Sequence, residues 1–317
     1  MGRSERPAVI VQTINLTKRY GKLVALDDLH LNIEEGECFG YIGPNGAGKT
    51  TTIKILATLL QPTWGEARIC NHVIGFESRK IRPLIGYVPD FFGAYEDMVV
   101  QEYLEFFASA YNITGKQRTR VVGDVLELTD LVYKRDALVD SLSRGMQQRL
   151  SIARVLLHDP KVLLLDEPAS GLDPRARIEI RELLKELHRM GKVIIISSHI
   201  LHELAELCTT VGIIEQGKLV FHGSIQEIVR RVKTGTKLLI SVTEQQDLAA
   251  LLLERTRGVK SVQQRDGRLI VELQSRTHDF TGIARLLIDN NFKIHEIKEE
   301  EVNLETAFMR LTKGIVQ

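Results

Sequence analysis

Apolar and polar positions alternate near the start of the chain. Ile10, Ile14 and Leu16, then Leu29, Leu31 and Ile33, predict two strands around a turn at KRYG (18–21), because period-two alternation marks a sheet with one face buried. EEGE (34–37) reads as a second turn and CFGYI (38–42) as a strand. From Lys49 to Leu59 the spacing becomes helical, with Ile53, Ile55 and Leu56 facing inward. Residues 91–158 read as mostly helical, from QEYLEFFASAY (101–111) to a helix stopped by Pro160. VLLL (162–165) and VIIIS (193–197) are unbroken apolar runs separated by a charged helix over 175–190. Such runs, alternating with helices, predict a parallel sheet buried on both faces. QGKLV and HGS then predict a closing hairpin near 213–224.

Past about residue 235 a different order sets in. KLLISV (237–242), a helix near 246–255, VKSVQQ (259–264), RLIVEL (268–273), a helix near 279–290 and FKIHEI (292–297) follow one another. Asp266-Gly267 supplies a two-residue hairpin signal between the middle strands. The order β-α-β-β-α-β is that of a ferredoxin-like unit. The expected organisation is a first domain over residues 8–232, with a helical part at about 91–158, and a small α+β domain over 236–317. The second holds no catalytic cluster and reads as a regulatory or dimer-bracing module.

Composition narrows the partners. In 317 residues, 44% are hydrophobic, enough for two cores, and the formal net charge of +1 gives no reason to expect nucleic acid. Cys38, Cys70 and Cys208 lie far apart, without disulfide-framework or zinc spacing. No apolar run approaches the roughly 18–20 residues of a membrane span, so any membrane work must use a partner's membrane part. MGRSERP has no apolar core for a leader, and Arg6 stands where a myristoylation signal needs Ser or Thr.

GPNGAGKTT (43–51) matches Gly-x-x-x-x-Gly-Lys-Thr, between a predicted strand and a predicted helix. Gly43, Asn45, Gly46, Ala47 and Gly48 let backbone N–H groups wrap phosphates. Lys49 reaches the terminal phosphates, and the Thr50 hydroxyl, followed by Thr51, suits Mg²⁺. VLLLDEP (162–168) delivers Asp166 to a strand end as a metal ligand and Glu167 beside it as a general base. Alone, two such carboxylates read first as a solvated strand cap; paired with the phosphate loop, the chemical reading is favoured. His199 ends another apolar strand, where it can reach a γ-phosphate or simply terminate the strand. HILHELAE (199–206) misses the second histidine of a zinc-protease helix, since Glu206 takes its place.

GPNGAGKTT, YVPD, LSRGM, LLLDEP, SGLD and SSH, in this order, together resemble the ATP-binding-cassette (ABC) family of transport ATPases over roughly residues 8–230. The resemblance implies a P-loop cassette with a mixed central sheet, an N-terminal antiparallel β subdomain and a helical subdomain. It implies ATP and Mg²⁺ as cofactors, with hydrolysis coupled to transport. Position by position it makes Tyr20 the aromatic stacked on adenine, or otherwise a plain turn tyrosine. Asp173 matches the D-loop aspartate, His199 the switch histidine, and LSRGM the signature usually written Leu-Ser-Gly-Gly-Gln. In the family two cassettes pair head to tail, so Ser143 and Gly145 would meet the ATP of a second copy. A capped helix start with bare N–H groups suits that role.

Two departures stand out. Asp90 replaces the usual glutamine after YVP and can still hold Mg²⁺ through water. Arg144 replaces a glycine and Met146 the glutamine of the signature; a cation in the first helical turn costs roughly 0.3–1 kcal/mol unless an anion faces it. Arg144 is therefore either a contact to the partner's nucleotide or a solvated surface residue. These departures, with NLETAFMRL (303–311), resemble the type-2 exporter branch, which implies a separately encoded permease and a cytoplasmic place on the inner membrane face. DFFGAYEDMVV (90–100) would receive that permease, with Phe91, Phe92 and Tyr95 exposed or else buried in the helical subdomain. The competing reading is a non-transport cassette ATPase serving as a regulatory module.

Overall fold

The computed structural model describes residues 7–91, 93, 97–199, 201–232, 237–265, 267–274, 281–300 and 304–312. They form two compact units, one built on residues up to Ile225 and one on Gln226–Arg310. Phe92, Tyr95 and Asp266, singled out above, lie outside the described residues.

In the first unit β1 (Val9–Tyr20) and β2 (Leu23–Glu34) form a long antiparallel hairpin, followed by β3 (Cys38–Ile42) and α1 (Lys49–Leu56). Then come β4 (Trp64–Ile69), β5 (His72–Val73), α2 (Ser78–Ile81) and β6 (Ile85–Val88). The helical segment holds α3 (Val100–Ala110), α4 (Gly115–Leu128) and α5 (Arg144–Leu156). After it β7 (Val162–Asp166), α6 (Pro174–Arg189), β8 (Val193–Ser198), α7 (Leu201–Leu207), β9 (Thr210–Glu215) and β10 (Lys218–Ser224) complete the unit.

Two sheets result. One is antiparallel in the order β2-β1-β4-β5, and the other runs β10-β9-β3-β8-β7-β6. In the second, β9, β3, β8, β7 and β6 are parallel and β10 is antiparallel to β9. β3, β7 and β8 are buried at every position, as unbroken apolar runs require when both sheet faces are covered. Phe39, Tyr41, Ile53, Leu56, Leu164 and Ile195 share one core with Leu16, Leu29 and Leu31 of the hairpin. The register sets Asp166 opposite Ser197, and Ile42 opposite Ser198. The carboxyl ends of three neighbouring strands therefore open at one level, the place where parallel sheets bind ligands.

Two local expectations shift. Ile14 is 37% exposed although its period placed it inside. Asn15 adopts φ 48°, and the pairing of β1 with β2 slips between Thr13 and Leu16, a bulge that re-aims the side chains beside it. α1 stops at Leu56 rather than running to Leu59. Thr58 turns left-handed at φ 59°, and the N–H groups of Leu59 and Leu60 both return to the Lys54 carbonyl, which closes a helix end.

The second unit begins with α8 (Ile225–Val232), then β11 (Lys237–Val242), α9 (Gln246–Glu254), β12 (Val259–Arg265), β13 (Arg268–Leu273), α10 (Thr281–Asp289), β14 (Ile294–Glu299) and α11 (Leu304–Leu311). Its sheet runs β12-β13-β11-β14, every neighbour antiparallel. Leu238, Ile240, Leu269 and Val271 pack beneath Ala249 and Leu253 of α9 and Ile283 and Leu287 of α10. That is the ferredoxin-like arrangement that the strand order predicts.

Candidate functional site

The loop from β3 to α1 is forced into shape by its surroundings. Gly48 sits at φ 110°, and a β-carbon there would lie 2.6 Å from the Ala25 carbonyl oxygen. A β-carbon on Gly43 would lie 2.4 Å from the carbonyl oxygen of Ile214. Both positions admit only glycine. Ala47 is buried, its carbonyl accepting from Gly217 N at 3.0 Å, while Asn45 and Gly46 remain exposed.

Lys49 is only 5% exposed. Its Nζ donates to the carbonyls of Gly43 at 2.7 Å and Pro44 at 3.1 Å, and lies 3.7 Å from Glu167 Oε1. Burial lowers its pKa, and the charges of Glu167 and Asp166 oppose that shift. Asp166, 1% exposed, accepts from Ser197 Oγ at 2.7 Å and Thr50 Oγ1 at 3.2 Å. Burial raises its pKa from the ordinary carboxylate value; these hydrogen bonds counter the rise, and the charges of Asp90 and Glu167 add to it. Tyr87 is pushed up to about 12 by burial first, then by Asp166 and Asp90. Asp90 is itself exposed at the end of β6, so it stands as a third carboxylate around Asp166.

Glu167 carries φ 49°, a strained setting for a side chain with a β-carbon. Its N–H is held by Ser197 Oγ at 3.0 Å and the Ser197 carbonyl at 3.2 Å. One carboxylate oxygen faces Lys49; the other accepts from His199 Nδ1 at 2.8 Å. Nε2 is then the ring nitrogen left to meet a ligand, on a side chain 51% exposed. The arrangement can aim a basic carboxylate and an imidazole at one point above the phosphate loop.

Tyr20, Leu23, Asn45, Gly46, Thr50, Thr51 and Glu167 border one cleft of about 280 Å³. A tyrosine at one end, wrapped N–H groups in the middle and a carboxylate at the other suit a nucleoside triphosphate. Ser143, Arg144, Gly145 and Asp173 do not line that cleft. They form a second cluster, where the N-termini of α5 and α6 meet. Ser143 Oγ caps α5 by accepting from Met146 N at 3.3 Å, and Asp173 caps α6 by accepting from Arg175 N and Ala176 N, each at 3.0 Å. A β-carbon on Gly145 would lie 2.7 Å from Ala176 Cβ, and one on Gly171 would lie 2.6 Å from Arg144 Nη1. The Arg144 guanidinium thus lies across the SGLD turn. Arg177 holds the same turn, donating from Nε to the Leu172 carbonyl at 3.0 Å while Nη1 lies 3.6 Å from Glu203 on α7.

Gly145→Ala is expected to push α5 and α6 apart. The protein should lose about 1–3 kcal/mol, read as a lower midpoint in chemical unfolding with an unchanged slope.

Sequence reasoning missed Ser197, which binds both Asp166 and Glu167, and it missed Arg177. The doubled serine before His199 was the one available sign of the first. Phe91 is 77% exposed, at the start of the segment assigned to a partner. Among the described residues no cluster of three or more His, Cys, Asp or Glu could hold a metal ion, and no helix is long and apolar enough to cross a membrane.

A family model described as ABC transporter matches residues 26–170. The bacitracin transport ATP-binding protein BcrA of Bacillus licheniformis is 34% identical, over 97% of this chain and 98% of its own length. The linearmycin resistance ATP-binding protein LnrL of Bacillus subtilis is 29% identical over 96% of this chain and 98% of its own. Among solved structures, the dimeric bacterial ABC transporter cassette MJ0796 superposes with a TM-score of 0.62 at 30% identity, covering 68% of this chain and 98% of that one.

Proposed function

This chain belongs to the ABC transporter family as an ATP-binding ATPase subunit, and we propose that it powers an exporter by closing, as a head-to-tail homodimer, around two ATP molecules. One observation carries the reading. The cleft holding the phosphate loop and Glu167 is separate from the paired helix starts at Ser143 and Asp173. Helix N-termini attract anions, and in this subunit theirs do not border the nucleotide cleft. A second copy supplies the missing phosphate, and each nucleotide is then enclosed by two subunits. The matched cassette structures include a dimer and a post-hydrolysis dimer bound to ADP and phosphate.

The residues divide the work as follows. Tyr20 stacks on the base, and the N–H groups from Gly43 to Thr51 and Lys49 hold the phosphates. Thr50 and Asp166, whose oxygens lie 3.2 Å apart, would hold Mg²⁺, with the charges of Asp90 and Glu167 nearby. With few protein donors present, phosphates and water would supply its other oxygen ligands, and Asp90 would act through water. When bound, the ion neutralises charge on the phosphates. Glu167 takes the proton of the attacking water, and His199, aligned through Nδ1, offers Nε2 to the γ-phosphate. Ser143 and Gly145 close on that phosphate from the other subunit, with Arg144 adding charge. Arg144→Ala should weaken ATP-driven dimerisation and flatten its salt dependence, measured by light scattering. Unchanged behaviour would leave Arg144 as a brace for Gly171 alone.

Export is supported by relatives named for bacitracin transport, linearmycin resistance and Nod factor export. The permease is a separate membrane protein, and this subunit sits on the cytoplasmic membrane face through it. Exposed Phe91 and a groove lined by Tyr87, Phe107 and Tyr111 offer the permease aromatic surface. Native purification from membranes should recover this chain with one polytopic partner, and its ATPase should change in that partner's presence. Recovery in a soluble form whose ATPase no membrane protein alters would favour the regulatory-module reading.

A further inference from the structure

We infer that Lys18 is a positioning residue for nucleotide affinity, acting through the ring of Tyr20. The inference rests on the reading of Tyr20 as the base-stacking residue. Lys18 and Tyr20 are two residues apart in β1 and so project from the same side of the strand. The Lys18 ammonium lies over the Tyr20 ring, 5.2 Å from its centroid, within the range at which a cation is drawn to an aromatic face. It is fixed there, because Nζ donates to the Gln61 carbonyl at 2.9 Å.

The segment carrying Gln61 is itself clipped to β1. Thr63 N donates to the Thr17 carbonyl at 2.8 Å, and Arg19 N donates to Thr63 Oγ1 at 3.0 Å. A half-exposed tyrosine at the mouth of a cleft would otherwise sample several rotamers. The held ammonium does two things to it. It restricts the ring, which reduces the ordering cost of stacking a base. It also withdraws electron density from the ring, so that the face turned away from Lys18 stacks better on an electron-rich purine. Lys18 is not among the residues lining the cleft, so its effect runs through the ring rather than through contact with the phosphates.

A four-variant cycle tests this: parent, Lys18→Met, Tyr20→Ala and both together, each assayed for ATPase with Mg²⁺ and ATP. Lys18→Met should raise KM about two- to five-fold and leave kcat at saturating ATP unchanged. Lys18→Arg, which keeps a cation over the ring, should restore most of the affinity. In the Tyr20→Ala background the Lys18→Met change should have no further effect. Inorganic tripolyphosphate, which has no base, should inhibit parent and Lys18→Met equally.

The outcomes separate the two ideas. If Tyr20→Ala leaves KM unchanged, the base-stacking reading of Tyr20 fails and this inference with it. If Tyr20→Ala raises KM and Lys18→Met does not, the inference alone is overturned. An equal Lys18→Met effect with and without Tyr20, or weaker tripolyphosphate inhibition, would mean that Lys18 acts on phosphate charge, and would also overturn it.

Discussion

Glu167→Gln should reduce ATP turnover by about 10²–10⁴-fold, the range for loss of a general base, and leave ATP binding intact. The substitution keeps the shape and the hydrogen-bonding reach of the side chain. Glutamine can still accept from His199 Nδ1, now at 2.8 Å from a carboxylate oxygen, and its N–H remains held by Ser197. What it loses is the ability to take a proton from water. Binding closes the dimer and hydrolysis opens it, so the variant should accumulate as an ATP-bound dimer visible by size exclusion with light scattering. Turnover near the parent rate would remove Glu167 from the role of base.

The second large effect belongs to Lys49→Ala. Lys49 is buried, as is Asp166, and its ammonium faces the partly buried Glu167 and the charge of Asp166. Its removal takes away the charge that meets the terminal phosphates, a loss of about 10²–10³-fold in turnover for a preorganised electrostatic contact. It also leaves the two carboxylates facing the phosphates without compensation, so ATP affinity should fall. This separates it from Glu167→Gln: the lysine variant should fail to form the ATP-bound dimer that the glutamine variant traps. Equilibrium binding of ATP, compared between the two variants, distinguishes them. Tight binding by Lys49→Ala would contradict the placement of its ammonium at the phosphates.

These two residues were legible in the sequence because their signals are local. The phosphate loop is one contiguous stretch, and Asp166-Glu167 ends an apolar run whose burial could be read directly. The parallel sheet and the ferredoxin-like order followed from periodicity for the same reason. Ser197 was not legible: its value comes from the register that sets it opposite Asp166, and register is a property of two strands. Arg144 shows the same limit. Its charge at a helix start was visible, yet its seat over Gly171 depends on how α5 meets α6. Asp173 read as a ligand from the resemblance alone, whereas the fold also employs it as the cap of α6. Ile14 was misplaced because a single left-handed residue, Asn15, breaks the period that predicted it.

The central claim is that each ATP site is built from two subunits, and mixing two inactive variants tests it. Lys49→Ala spoils a phosphate loop and leaves the signature whole; Ser143→Arg blocks the signature and leaves the phosphate loop whole. In a head-to-tail mixed dimer one site pairs the intact loop of one chain with the intact signature of the other. An equal mixture should therefore recover up to about one quarter of the parent ATPase, since half of the dimers are mixed and each has one complete site of two. Activity no greater than the sum of the separate variants would contradict the account, and would mean that the loop and signature of a single chain act together.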